Sequence, residues 1–233
     1  MLQANPKKEE KLRFRDSLAN FLNRYRMVFL GIGIAIIVII AVILIATEVQ
    51  KSRIESGTKL QETMEQDFSA WMGEKDEKKK AELEKTVLDS AKSVRESYGG
   101  TFSEQRAHDL EASISYEKKE FDKAAERWTS LADKFPKSYL APIALSNAAA
   151  AWEEKGERAK ARAVLERIMK SYEADYADLP RVLFSLARLQ EADGQPDKAA
   201  EFYNQLIDRF GSSNWTKLAR DRIIYLKSIG KIK

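Results

Sequence analysis

The segment YEKKEFDKAAERWTSLADKFP, residues 116–136, decides the fold, because its pattern returns twice further along the chain. It aligns with EEKGERAKARAVLERIMKSYE at residues 153–173 and with EADGQPDKAAEFYNQLIDRFG at residues 191–211. Self-similarity at a fixed period of roughly 20–50 residues is typical of proteins built from repeated units. The sequence therefore predicts one small structural unit that is used three times.

Four residue columns recur at intervals of 37 and then 38 residues, three of them inside the aligned segments and one just before them. Two columns hold a small residue, one holds a bulky residue and one holds an aromatic residue. Small residues let two helix backbones approach closely, and a bulky residue one turn later fills the groove of the next hairpin. The pattern predicts stacked helical hairpins with these columns: Ala112, Ala149 and Ala187; Ala124, Ala161 and Ala199; Trp128, Leu165 and Tyr203; Phe135, Tyr172 and Phe210.

The repeats resemble the tetratricopeptide repeat family over residues 105–210. The small-bulky-proline pattern of that family reads Ala112, Ala124, Trp128 and Pro136 in the first unit. The units depart from the family's usual length of about 34 residues, and the first unit has Lys119 where the others have a turn glycine. Longer units of this kind are similar to the bacterial envelope type found in BamD-like and YbgF-like proteins. The resemblance implies an all-α solenoid closed by a C-terminal capping helix.

An apolar run, MVFLGIGIAIIVIIAVILIAT at residues 27–47, precedes the repeats and contains no charged side chain. As a helix its 21 residues are about 30 Å long, which matches the hydrocarbon thickness of a bilayer. Seven Lys or Arg residues precede the run within 1–26, whereas three follow it within residues 48–67. The positive-inside rule then predicts a single-pass bacterial inner-membrane protein with a cytoplasmic N-terminus and a periplasmic C-terminal domain.

The excess positive charge lies beside this run. Residues 1–26 hold 7 basic and 3 acidic residues, and residues 48–233 hold 33 of each, so the large domain is neutral and a nucleic-acid partner is not expected. Basic residues near an anionic leaflet favour binding to membrane lipid. Apolar residues in this arm fall on one helical stripe, which fits either an interfacial helix or a docking helix for a cytoplasmic partner: Phe14, Leu18, Phe21, Leu22 and Tyr25.

Residue types suited to catalysis are scarce. The chain has one histidine, His108, and no cysteine, so nucleophilic triads and zinc sites have little to build on. Carboxylates alternate with basic residues in runs that are typical of solvated helix faces. We therefore expect no enzyme activity, no cofactor and no metal. A cell-wall enzyme that uses a carboxylate pair is the least favoured alternative.

The predicted organisation has five parts. A cytoplasmic arm and a transmembrane helix come first, a stalk with a degenerate hairpin follows, and the repeats and the cap complete the chain. Their ranges are 1–26, 27–47, 48–101, 102–211 and 212–233.

The family resemblance also implies a partner-binding groove. In tetratricopeptide arrays the first helix of each unit lines a groove that binds peptides or helices of other proteins. The corresponding positions here are Arg106, Asp109, Ser113 and Tyr116 in the first unit, Ile143, Ser146, Asn147, Ala150 and Glu153 in the second, and Arg181, Phe184, Arg188 and Glu191 in the third.

These features predict a membrane-anchored scaffold with protein partners in the cell envelope. The architecture resembles that of YfgM-like ancillary translocon subunits, which work with periplasmic chaperones. The alternative is a structural subunit of a large envelope machine, such as the periplasmic collar of a flagellar motor. Gly31 and Ala35 form a small-xxx-small pair in the apolar run, which leaves homo-oligomers open.

Overall fold

The chain is all-helical over the residues that the computed structural model describes, which are 6–174 and 176–233, with side chains from residue 15 onward. This described part contains nine α-helices and no strand, which confirms the predicted fold class. The helices are α1 Pro6–Gly73, α2 Glu77–Ser97, α3 Phe102–Glu117, α4 Phe121–Lys134, α5 Leu140–Glu154, α6 Arg158–Tyr172, α7 Leu179–Ala192, α8 Pro196–Arg209 and α9 Asn214–Ser228.

The chain divides into two units, residues 1–55 and residues 56–233. The first unit consists of the N-terminal part of α1, and residues 1–5 of the predicted arm lie outside the described residues. By length and composition this helix can cross a membrane, since its most apolar 18-residue window has a mean hydropathy of 3.4 and no buried residue. Near the start of the apolar run Phe21 contacts Tyr25 and Phe29, with ring centroids 4.9 and 5.9 Å apart.

The second unit begins within α1, whose last turns pack on the helices that follow. Met64 and Trp71 of α1 are buried against Val87 of α2 and Leu110 of α3. Gly57 lies inside α1, which continues through this residue without a break. Gly57 is buried, and a β-carbon there would lie 3.2 Å from the ring of Tyr98 and from Ser103 Oγ. The glycine therefore serves close packing between segments and not helix termination.

Three helical hairpins follow, formed by α3 with α4, α5 with α6 and α7 with α8. Their six column alanines are at most 1% exposed, as the repeat predicts. The bulky column is buried as well, with Trp128 and Leu165 each 4% exposed and Tyr203 1% exposed. Because each hairpin has its small residues where it meets a neighbour, the helices approach closely enough to share one core.

The turn inside each hairpin has the same backbone geometry. Lys119, Gly156 and Gly194 have φ values of 61°, 84° and 71°. The next residue in each turn donates its N–H to a helix carbonyl, such as Glu120 N to Ser115 O at 2.9 Å and Glu157 N to Trp152 O at 2.8 Å. This left-handed closing residue is a usual way to end a helix. Lys119 thus adopts the glycine conformation without being glycine.

The last helix, α9, packs on α8 and α7. Ala219 and Leu226 are buried in a cluster with Leu183 and Tyr203 of the third hairpin. Ser213 caps the helix by accepting a hydrogen bond from the Trp215 N–H at 3.2 Å. Apolar surface of the third hairpin that would otherwise meet water is therefore covered by α9.

Candidate partner-binding groove

The structure brings four of the predicted groove residues together in one cleft between α3 and α5. Ser113 and Tyr116 lie on one side, and Asn147 and Ala150 lie on the other. The cleft has a volume of about 270 Å³ and is also lined by Glu117 and Trp128. Two helices of successive repeats can face each other across such a gap because the small Ala150 leaves room for the Tyr116 ring. An apolar floor with an amide and a hydroxyl at its rim suits a peptide side chain.

The ring of Tyr116 packs against two aromatic rings of α4. Its centroid lies 5.3 Å from that of Phe121 and 5.8 Å from that of Trp128. Burial raises the pKa of Tyr116, and the carboxylates of Glu154 and Glu117 add to the effect, so the ring stays neutral at physiological pH. The packed rings fix one orientation of Tyr116 before any partner arrives.

Arg106 and Asp109 form an ion pair toward the N-terminal end of α3, on the face that carries Tyr116. Arg106 donates to Asp109 Oδ2 at 2.6 Å and to Glu65 Oε1 at 2.8 Å. Asp109 also accepts a hydrogen bond from Trp128 Nε1 at 2.8 Å. The predicted residue Asp109 thus orients the tryptophan that forms part of the cleft wall.

A line of ion pairs continues toward the C-terminal end. Arg188 on α7 pairs with Glu153 on α5. Glu191 accepts from the Tyr203 hydroxyl at 2.7 Å and from Arg222 Nη2 at 2.6 Å. Burial opposes ionisation of Glu191, but these bonds outweigh it and lower the pKa of its carboxyl, while burial and the same carboxylate raise the pKa of Tyr203. Arg188 therefore joins the third hairpin to the second, and Glu191 joins the third hairpin to α9.

The other predicted residues lie elsewhere. Ser146 is 4% exposed and bonds to the Tyr176 hydroxyl at 3.1 Å, so it is not available at the surface. Phe184 packs between Tyr203 and Trp215, with centroid distances of 5.5 and 5.3 Å. Arg181 bonds to Asp178 within its own helix start. Helical register alone could not show that the loop before α7 covers Ser146 and that α9 covers Phe184.

Ile143 lies in a second set of clefts that sequence reasoning missed. We call this surface the aromatic edge; it follows the loops between hairpins and consists of Phe102, Pro136, Tyr139, Pro142, Tyr172 and Tyr176. Tyr139 is 66% exposed and stacks on Phe102 at a centroid distance of 5.5 Å. The available signal was the tyrosine that follows each loop between hairpins, at 139 and 176.

The opposite side of α3 holds two buried carboxylates. Glu104 is 2% exposed and accepts hydrogen bonds from Lys134 and from the Gly100 N–H; burial opposes ionisation, but these partners lower the pKa of its carboxyl overall. Glu111 is 7% exposed and lies 3.1 Å from Arg95 and 3.5 Å from Arg127, and burial raises its pKa. Both carboxylates have cationic partners from neighbouring helices, which indicates a structural role.

In the part of the chain that the structure describes, no group of three or more His, Cys, Asp or Glu residues is arranged to hold a metal ion.

Stacked hairpins with a shared groove define a helical-repeat protein. Residues 181–213, in the third hairpin and its exit loop, match the tetratricopeptide repeat family model. The chain is also 33% identical, over 119 residues, to a TPR repeat-containing protein of Treponema pallidum (strain Nichols). The aligned region covers 51% of this chain and 48% of that relative, so the chain spans about half the length of the relative. Both matches support the tetratricopeptide assignment of the repeats and, with it, a role in protein-protein interaction.

Proposed function

We propose that the protein is a membrane-anchored scaffold that binds another protein through the groove lined by α3, α5 and α7. The cleft formed by Ser113, Tyr116, Asn147 and Ala150 carries this proposal, since residues from two successive repeats converge there around an oriented aromatic ring. Aromatic side chains held in a fixed orientation contribute strongly to protein interfaces. The match to the tetratricopeptide repeat model supports the same class of function.

Variants of the cleft test this role. Replacing Asn147 by Arg fills the cleft with a long charged side chain and is expected to remove the protein that copurifies with the wild-type chain from solubilised membranes. The matched control is Glu166→Arg on α6, which is exposed and belongs to a second helix. Equal loss of the partner in both variants, or in neither, would contradict the groove as the binding surface.

The exposed apolar part of α1 anchors this scaffold in the bacterial inner membrane. Its length and hydropathy support a single crossing, and the seven basic residues that precede it support a cytoplasmic N-terminus. In this arrangement the repeats face the periplasm, and the arm contacts anionic lipid.

Cysteine labelling tests the orientation directly, because the chain contains no cysteine of its own. A membrane-impermeant maleimide added to cells with a permeable outer membrane is expected to label Ser228→Cys and not Lys7→Cys. The reverse pattern would place the repeats in the cytoplasm, and labelling of neither variant in intact cells but of both after lysis would remove the membrane crossing.

Two particular roles fit this scaffold, and the copurifying protein distinguishes them. An ancillary translocon subunit is expected to bring down the Sec translocon from detergent extracts. A collar subunit of a flagellar motor is expected to be required for motility and for intact motors. A protein that enters neither complex would retain the scaffold role and lose both of these assignments.

A further inference from the structure

The aromatic edge is a second surface with the features of a binding site. One cleft of about 570 Å³ lies between Phe102, Pro136 and Tyr139. A neighbouring cleft of about 620 Å³ lies between Tyr139, Pro142 and Tyr172. Tyr139 lines both clefts and is 66% exposed. Each cleft is large enough to take one or two side chains of a bound segment.

The charge of this surface favours an acidic partner. Lys137 lines both clefts, and its amine has no ion-pair partner among the described residues. The neighbouring Lys134 is already neutralised by the buried Glu104. An amine that lines two aromatic clefts is complementary to a carboxylate placed between two apolar side chains.

The shape favours an extended segment over a helix. Residues 136–139 line both clefts, so a bound chain that fills the two clefts must cross this short segment and place side chains on both sides of it. An extended or polyproline II chain does this with closely spaced residues, whereas a helix is about 10–12 Å wide and presents one continuous ridge. The hydroxyls of Tyr139 and Tyr172 have no hydrogen-bond partner among the described residues, and they are free to donate to backbone carbonyls, all of which are unpaired in polyproline II.

We propose that the aromatic edge binds an extended, proline-containing segment of a partner protein, with an acidic residue that pairs with Lys137. Proline rings pack against flat aromatic side chains, and their restricted backbone loses little entropy on binding. The proposal rests on the scaffold function only in that the partner is a protein. It adds a surface outside the groove cleft, with Ile143 belonging to the edge and Asn147 to the groove.

Selection from a phage library of random dodecapeptides tests the proposal on the full chain in lipid nanodiscs. Peptides recovered on the wild type are expected to be rich in proline and to carry Asp or Glu. Tyr139→Ala is expected to lower their recovery by about tenfold or more, which corresponds to roughly 1.4 kcal/mol. The matched control Tyr225→Ala removes another exposed tyrosine, 47% exposed on α9, and is expected to retain recovery.

Charge reversal supplies a second readout. Lys137→Glu is expected to select peptides that carry Lys or Arg in place of Asp or Glu, while their proline content is kept. Unchanged recovery on Tyr139→Ala, or selected peptides with helical apolar spacing and no proline, would overturn the proposal. A wild-type dimer that Tyr139→Ala dissociates would assign the surface to a second copy of the chain and overturn it as well.

The outcome also separates this site from the groove. If peptide recovery is lost in Asn147→Arg and kept in Tyr139→Ala, the peptides bind in the groove. That result supports the groove function and contradicts the proposal for the aromatic edge. If no form of the chain recovers peptides above empty nanodiscs while Asn147→Arg still loses the copurifying protein, the aromatic-edge proposal is contradicted and the groove function is retained.

Discussion

Lys119 differs in residue type from the glycines at the same position of the other two hairpins, but its backbone has the same left-handed conformation. It has φ 61° in the position that glycine occupies in the next two hairpins. A side chain in this left-handed region costs about 1–2 kcal/mol relative to right-handed backbone. The hydrogen bonds that close the turn, including Lys119 N to Tyr116 O at 2.8 Å, hold it there.

We expect Lys119→Gly to stabilise the protein by about 0.5–1 kcal/mol and Gly156→Ala to destabilise it by about 1 kcal/mol, because only glycine adopts positive φ without strain. Urea unfolding followed by tryptophan fluorescence measures both, since all four tryptophans lie in residues 56–233. Gly211→Ala is the control, as Gly211 lacks positive φ and open space surrounds it. A destabilised Lys119→Gly would contradict this reading.

His108 is the single histidine of the chain and its pKa is lowered from 6.5. Burial is the main cause, and the charges of Arg95 and Lys134 add to it. The folded state therefore binds a proton less readily than the unfolded state does. As pH falls below 6.5, protonation of the unfolded chain lowers stability, and this loss is complete once pH passes below the folded pKa.

The single histidine resonance in an NMR titration is expected to report an apparent pKa below 6.5. His108→Gln is expected to lose less stability than the wild type between pH 7 and about pH 5, since the variant has no imidazole to titrate. Glu111 has a raised pKa and acts in the opposite direction, but it is common to both proteins. A resonance that titrates above 6.5 would contradict the burial of this ring.

At the scale of the helices, α1 packs most closely on its neighbours at Gly57. Gly57 faces the Tyr98 ring and Ser103 Oγ at distances that leave no room for a larger side chain. We expect Gly57→Leu to destabilise the protein by about 1–3 kcal/mol, even though leucine favours helix, because overpacking moves the helix away from its neighbours. Gly73→Leu is the control at an exposed site with open space around it, and equal effects of the two changes would refute the close contact.

The last helix offers a matched pair of leucines. Leu226 is 1% exposed in the cluster with Leu183, whereas Leu218 on the same helix is 47% exposed. We expect Leu226→Ala to destabilise the protein by about 2–4 kcal/mol and Leu218→Ala by less than about 0.5 kcal/mol. The same fluorescence assay measures both. Similar losses in the two variants would mean that α9 does not cap the third hairpin in the way described.

The repeat columns made the hairpins predictable, because a residue that recurs at 37 and 38 positions must meet the same neighbour each time. The columns therefore identified the buried alanines and the turn positions. The close packing at Gly57 was not predicted, since the sequence does not show which neighbour approaches a glycine. Ser146 was assigned to the groove from the family resemblance, which does not show that it contacts Tyr176 in the loop between α6 and α7.

For the whole molecule, two properties combine in the proposed role. The repeats form a neutral domain with one cleft around an oriented ring, and the most apolar 18-residue window of α1 has no buried residue. The sequence predicted both properties, because apolar length and repeat spacing are local patterns. The aromatic edge was not predicted, since it arises only where Phe102 at the start of α3 and Tyr139 just before α5 meet.

Photocrosslinking in living cells tests the central claim most directly. A benzophenone side chain placed at Asn147, in the cleft, is expected to form a discrete covalent adduct with a protein of the cell envelope. The same side chain at Glu166, on an exposed second-helix position, is expected to form none. Adducts from Glu166 and not from Asn147 would contradict the account, because partners would then bind the opposite helices.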